Sequence, residues 1–220
     1  MRRLDQEISG LTRRLVEMGD LAESMIDVAV KGLIKLDSSV LNDVLAKEDV
    51  LDRMQVDIDD EVVRILALYG PLAIDLRFVL MVSKVNTELE RIGDQAVNIA
   101  EYVQLLNAHP DSASLRDYPQ MAKLARMMLR DALQAFYERD AAKAKEVMAS
   151  DDLVDALNDT ILRERLAEEP EDLANSIALI LIARSLERVA DQATNICEEV
   201  IYMVEGRDIR HTGFGHENAP

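Results

Sequence analysis

Apolar residues recur along this chain at alternating steps of three and four. Leu89, Ile92, Ala96, Ile99, Val103 and Leu106 form one stripe, and Leu186, Val189, Ala193, Ile196, Val200 and Met203 form another. Leu51, Met54, Ile58, Val62 and Ile65 make a third. That spacing follows one face of an α-helix, and no useful length alternates with the period of two that a strand requires. The stripes predict amphipathic helices whose seams pack as antiparallel bundles.

The stripes belong to a repeat. "LERIGDQAVNIAEYV", Leu89 to Val103, returns 97 positions later as "LERVADQATNICEEV", Leu186 to Val200, with ten of fifteen residues identical. Farther upstream the offset is 103: Met18, Leu21, Ala22, Ala29, Asp37, Asp49 and Asp52 meet Met121, Leu124, Ala125, Ala132, Asp140, Asp152 and Asp155. The first half therefore has six extra residues around "ALYGPLAIDLR". Gly70-Pro71 breaks the helix there, and Pro170 in "EEPED" does so in the second half.

Each half reads as three long helices and a short one, roughly 4–36, 38–46, 48–69 and 71–107, then 120–139, 141–150, 152–167 and 171–205. The expected fold is all-α, a tandem repeat of two three-helix bundles, end to end or side by side. The first bundle is 1–107, the second 120–206; the Pro- and Ser-containing segment 108–119 links them, and a Gly-rich tail, 207–220, is expected to be loose. Ala96 and Ala193, small residues in mid-seam, are expected where helices approach closely. Cys197 replaces Ala100 beside the seam and reads as a packed side chain rather than a reactive thiol.

Composition narrows the function. The net charge of −17 would repel nucleic acid and anionic lipid and attract cations or basic protein patches. The lone cysteine allows no internal disulfide. No apolar run follows the N-terminal arginines, and "IALILIA" is far short of the roughly 20 residues of a membrane helix. A soluble, cytoplasmic protein is expected.

The repeat keeps polar residues as well as apolar ones. Glu90, Asp94, Asn98 and Glu101 fall within a sector of about 80° opposite the seam, as do Glu187, Asp191, Asn195 and Glu198. A solvated acidic face is the plain reading. Yet like charges four residues apart cost a helix a few tenths of a kcal/mol, and the same pairing recurs in both copies while a neighbour, Tyr102 against Glu199, has drifted. A bound cation would reverse that penalty, and carboxylate and amide oxygens suit hard cations such as Mg²⁺, Mn²⁺ or ferric iron. Asp20, Glu23 and Asp27 form a further stripe on the first helix. Its counterpart carries Arg126 and Arg130 instead, with Asp131 one position away. Asp49, Asp52, Asp152 and Asp155 open the second long helix of each half, where the helix dipole also favours acids.

Enzyme chemistry finds no support. His109, His211 and His216 lie in linker and tail, so no helix carries the Glu-x-x-His of di-iron bundles. There is no phosphate loop, nucleophile elbow or zinc-ligand spacing.

"LERIGDQAVNIAE" and "LERVADQATNICE", with "PLAIDLR" and "EGRDIRHTG", resemble the PhoU family, over about residues 11–213. The resemblance implies two similar three-helix bundles that bind metal on Glu/Asp-x-x-x-Asp motifs. It implies a regulator acting with a phosphate ABC transporter and a sensor histidine kinase, repressing the phosphate-starvation response when phosphate is plentiful. By that likeness Glu90, Asp94, Glu187 and Asp191 would be ligands, with Glu23 and Asp27 at the same spacing and Arg126 and Arg130 departing from it. Asn98, Glu101, Asn195, Glu198 and Asp131 are secondary candidates. The ion would be Mg, Mn, Fe or Zn, and a homodimer is expected. Two other readings stand beside this one: a metal-free helical scaffold whose acidic face binds a basic partner, and an accessory protein of a different phosphate transporter.

Overall fold

The computed structural model describes residues 3–107, 115–167 and 173–210. They form seven helices: α1 (Arg3–Lys35), α2 (Val40–Tyr69), α3 (Ala73–Asn107), α4 (Tyr118–Glu138), α5 (Ala141–Met148), α6 (Asp151–Ala167) and α7 (Leu173–Glu205). Helices α1, α2 and α3 pack on one another as one bundle; α4, the α5–α6 pair and α7 form the other. The two lie side by side, with α3 against α7 and α1 against α4, around one continuous core. The predicted stripes on α3 and α7 are buried from end to end, Ala96 and Ala193 included, and that on α2 is buried except at Met54, which is partly exposed.

Matching sequence ends matching helices alike. α1 finishes with Leu36 in the left-handed region (φ 51°) and the Asp37 amide donating to the Gly32 carbonyl at 2.9 Å. Arg139 (φ 54°) and the Asp140 amide on the Ala135 carbonyl, also at 2.9 Å, repeat that terminus 103 residues later. This is the Schellman arrangement, which satisfies the last carbonyls of the helix. The repeated aspartate then starts the next element: Asp140 Oδ1 accepts from the Ala142 and Lys143 amides, and Asp37 Oδ1 from Ser39.

The repeat is not matched everywhere. The short helix expected at 38–46 is continuous with the next, giving the single α2, whereas its counterpart breaks between α5 and α6. The physical difference is Ser150 in place of Lys47. The Ser150 amide turns back to Val147 and its hydroxyl to Glu146, and such local bonds compete with the helix; lysine offers none. Two boundaries also move. α4 starts at Tyr118, ahead of the expected 120, because Pro119 suits a first turn and Tyr118 is buried in the core. The looseness expected from the end of α7 does not begin there. Gly206 turns the chain (φ 68°) under Arg77, Ile209 is 3% exposed, and Arg210 pairs with Asp208 and Glu199. Residues 108–114 of the linker and 211–220 of the tail lie outside the described residues.

The junction between the bundles is partly ionic. α3 and α7 run antiparallel: Lys84 Nζ donates to both oxygens of Glu199, at 2.9 and 3.0 Å, and four residues on Asn195 donates to Glu88. Glu199 is therefore a buried, paired residue, and its divergence from Tyr102 is not the drift of an exposed position. Nearby, Phe78 of α3 stacks on Phe136 of α4 at 5.5 Å.

Candidate metal centre

Four-residue spacing sets two carboxylates on one face of a helix, and antiparallel packing faces two such pairs across a groove. Ser83 Oγ donating to Asp59 and Asn86 Nδ2 donating to the Gln55 carbonyl fix the α2–α3 register. In that register Glu48 and Asp52 of α2 meet Glu90 and Asp94 of α3. Burial raises the pKa of Glu90, and the charges of Asp94, Asp52 and Glu48 add to it. Asp94 is raised by burial and by Asp52. Glu48 is raised by burial, then by Asp52, Asp94, Asp49 and Glu101.

The second bundle builds the same groove from Asp151 and Asp155 of α6 and Glu187 and Asp191 of α7. Burial lifts Asp151 to about 7, with Asp155, Asp191, Asp152 and Glu187 adding to the rise. Glu187 and Asp191 are raised by burial first, Glu187 next by Asp191 and Asp191 next by Asp155; Arg184 and Arg188 pull both down.

Within this sector Glu187 is less solvated than a position opposite a seam suggests, while Asp94, Asp191 and Asn195 are exposed. Glu187 is 8% exposed, because α7 is covered by α3 and by all three other helical segments of its own bundle. One oxygen of Glu187, Oε2, and one of Asp151, Oδ1, are buried and accept no hydrogen bond among the described residues. A buried acceptor left without a donor is costly. A hard cation is the partner that two pairs of carboxylates with orphaned oxygens fit, and bound there it would cancel their mutual repulsion. As the side chains stand, no group of three or more His, Cys, Asp or Glu among the described residues is arranged to hold an ion. Occupancy therefore requires the carboxylates to turn inward.

The other candidates divide differently. Glu23 and Asp27 face Arg126 of α4: Arg126 Nη1 pairs closely with Asp27, and Nη2 lies 4.0 Å from Glu23. Arg126 is the repeat counterpart of Glu23, so the departure from the acidic pattern supplies the ion pair that joins equivalent helices. Arg130 lies 3.9 Å from Asp131. Asn98 makes a long contact to Gln95, at 3.5 Å, and Glu101 is exposed near Glu48. Asn195 and Glu198 line a cavity of about 320 Å³ at the α3–α7 junction, with Lys84, Thr87 and Arg91. Cys197 is fully buried and its thiol is pushed up to about 12, which leaves it unreactive at neutral pH.

Glu48 and Asp151 are the residues that motif reading passed over. Their signal was present: Glu48–Asp52 and Asp151–Asp155 repeat the four-residue carboxylate spacing of Glu90–Asp94.

An all-helical protein of two pseudo-equivalent three-helix bundles, each with a carboxylate groove between its second and third long helices, is a distinct class. The PhoU domain model matches it twice, at residues 15–103 and 118–200, and the chain belongs to the PhoU family. A Pseudomonas putida protein named phosphate-specific transport system accessory protein PhoU homolog is 38% identical over 213 residues, 94% of this chain and 82% of the relative. A Clostridium acetobutylicum protein of the same name is 32% identical, covering 93% of this chain and 95% of its own. The crystal structure of PhoU from Pseudomonas aeruginosa superimposes with a TM-score of 0.89 at 35% identity, covering 93% of this chain and all of the other. That of the phosphate transport system regulatory protein PhoU from Streptococcus pneumoniae gives 0.88 at 29%, covering 94% and 99%. The family is one of regulatory and accessory proteins, not enzymes. Among the described residues no helix is long and apolar enough to cross a membrane.

Proposed function

We propose that this protein is a metal-binding accessory regulator of phosphate transport. It acts in the cytoplasm as a homodimeric adaptor between a phosphate ABC transporter and a sensor histidine kinase, and represses phosphate-starvation genes when phosphate is abundant. The names of its relatives support the transport role. The metal reading rests on one observation: in the second groove one oxygen each of Glu187 and Asp151 is buried and unpartnered among the described residues. Glu48, Asp52, Glu90 and Asp94 would hold one site and Asp151, Asp155, Glu187 and Asp191 the other. A hard cation supplies charge neutralisation there and ties the second helix of each bundle to the third. The chain's own part is to present the carboxylates in facing pairs and to exclude water from Glu187. The acidic surface suits a basic patch on a membrane-associated partner, with encounter speeded by charge and slowed by salt.

A gene deletion tests the role. It is expected to switch on phosphate-scavenging genes in phosphate-rich medium, and a Glu187→Ala/Asp191→Ala variant to restore silence less well than the natural protein. Normal phosphate-responsive expression and uptake in the deletion strain would contradict the role. A metal-independent acidic scaffold is the second reading, favoured by the lack, among the described residues, of three or more such side chains arranged to hold an ion. Elemental analysis of untagged protein separates the two.

A further inference from the structure

The two grooves differ at one position that touches the carboxylates. Arg184 stands one turn before Glu187, where the first repeat has Thr87 before Glu90. Arg184 Nη1 donates to Glu187 Oε1 at 2.8 Å. The arginine shared by both repeats does not do this in the first: Arg91 turns to Glu88, at 2.9 Å. Among the described residues no basic side chain hydrogen-bonds or ion-pairs with Glu90 or Asp94. Each groove thus holds four carboxylates, and the second buries its glutamate more deeply, yet that glutamate is already held by a guanidinium. That guanidinium is half exposed, its side chain at 54%, so it can swing into water without stranding a donor.

We propose that Arg184 is a resident placeholder in the second site, holding Glu187 until a hard cation displaces it, so that the two sites load in order, the Thr87 site first. The inference rests on the metal reading above and adds to it a built-in difference between the sites. A cation entering the first groove displaces only water. One entering the second must break a charge-assisted hydrogen bond on a largely buried carboxylate, a loss equivalent to at least about tenfold in affinity. Without Arg184 the second site should close that gap, because burial strengthens attraction to a cation.

Mn²⁺ titration of the metal-stripped full chain, following free ion by electron paramagnetic resonance, tests this. The natural protein should show two classes of site differing by about tenfold or more. Asp191→Asn should remove the weaker class and Asp94→Asn the tighter. Arg184→Thr should tighten the class that Asp191→Asn abolishes by about tenfold and leave the other in place; Arg184→Gln serves the same comparison should threonine disturb α7. Two classes that Arg184→Thr and Arg184→Gln leave unmoved or weaken would overturn the placeholder while sparing the metal reading. Absence of Mn²⁺ binding to the natural protein would overturn both.

Discussion

The first and second bundles carry the same motif in different surroundings. Glu90 and Asp94 sit on α3 with Thr87 a turn away; Glu187 and Asp191 sit on α7, the glutamate more buried than its counterpart, with Arg184 hydrogen-bonded to it. The partner carboxylates differ likewise: Glu48 is raised in an open groove, while Asp151, one methylene shorter, is lifted to about 7. A repeat preserves backbone and seam, but each copy packs against the other's different face. The α1–α4 contact carries the same lesson, since Arg126 answers Glu23 and Asp27 by abandoning the acid that strict repetition would place there.

Core truncation should disturb the comparison most. Leu89→Ala and Leu186→Ala remove equivalent, fully buried side chains. Each should cost about 2–5 kcal/mol, lowering the melting midpoint by roughly 4–20 °C. Since both bundles share one core, calorimetry should record a single transition in each variant; two separated transitions would show independent bundles. Overpacking comes next. Ala193→Leu, at a buried seam position, should cost about 1–3 kcal/mol by denaturant unfolding, with Ala96→Leu similar. Arg126→Glu gives α4 the carboxylate its counterpart has, replacing an attraction with a repulsion at a partly exposed contact. About 1 kcal/mol should be lost, less in high salt.

The smallest expected effect is on pH dependence, and it sharpens the comparison of grooves. A carboxyl raised in the folded state contributes stability that is complete below its unfolded pKa and is lost as pH rises through the folded value. For Asp151 that loss falls between about pH 4 and 7. The metal-free protein should therefore melt a few degrees lower at pH 8 than at pH 5.5, and Asp151→Asn should flatten the difference more than Glu48→Gln does. Asp208, held down to about 2 by Arg210, acts in the opposite sense, and its contribution is lost only under strong acid.

Much of this was legible from the residues. The 3–4 stripes give the helices, and the repeated Asp37 and Asp140 mark matching termini, because helical packing is periodic and local. The continuity of α2 against the α5–α6 break was not, since it turns on whether Lys47 or Ser150 competes for a backbone carbonyl. Glu90, Asp94, Glu187 and Asp191 stood out because polar identity survived in both copies. Glu48 and Asp151 were masked by the helix-start role that acids also fill. The pairing of Glu23 and Asp27 with Arg126 depends on how the bundles dock, which spacing within one helix does not encode.

The central claim is that the repeated carboxylates are two cation sites. Elemental mass spectrometry of the untagged protein, purified without chelator, tests it most directly. The natural chain should carry bound divalent or ferric ion that Asp94→Asn/Asp191→Asn loses, together with any fall in melting midpoint on chelation. A double variant that retains as much metal as the natural chain, or a natural chain that carries none and is not stabilised by added Mn²⁺, would contradict it.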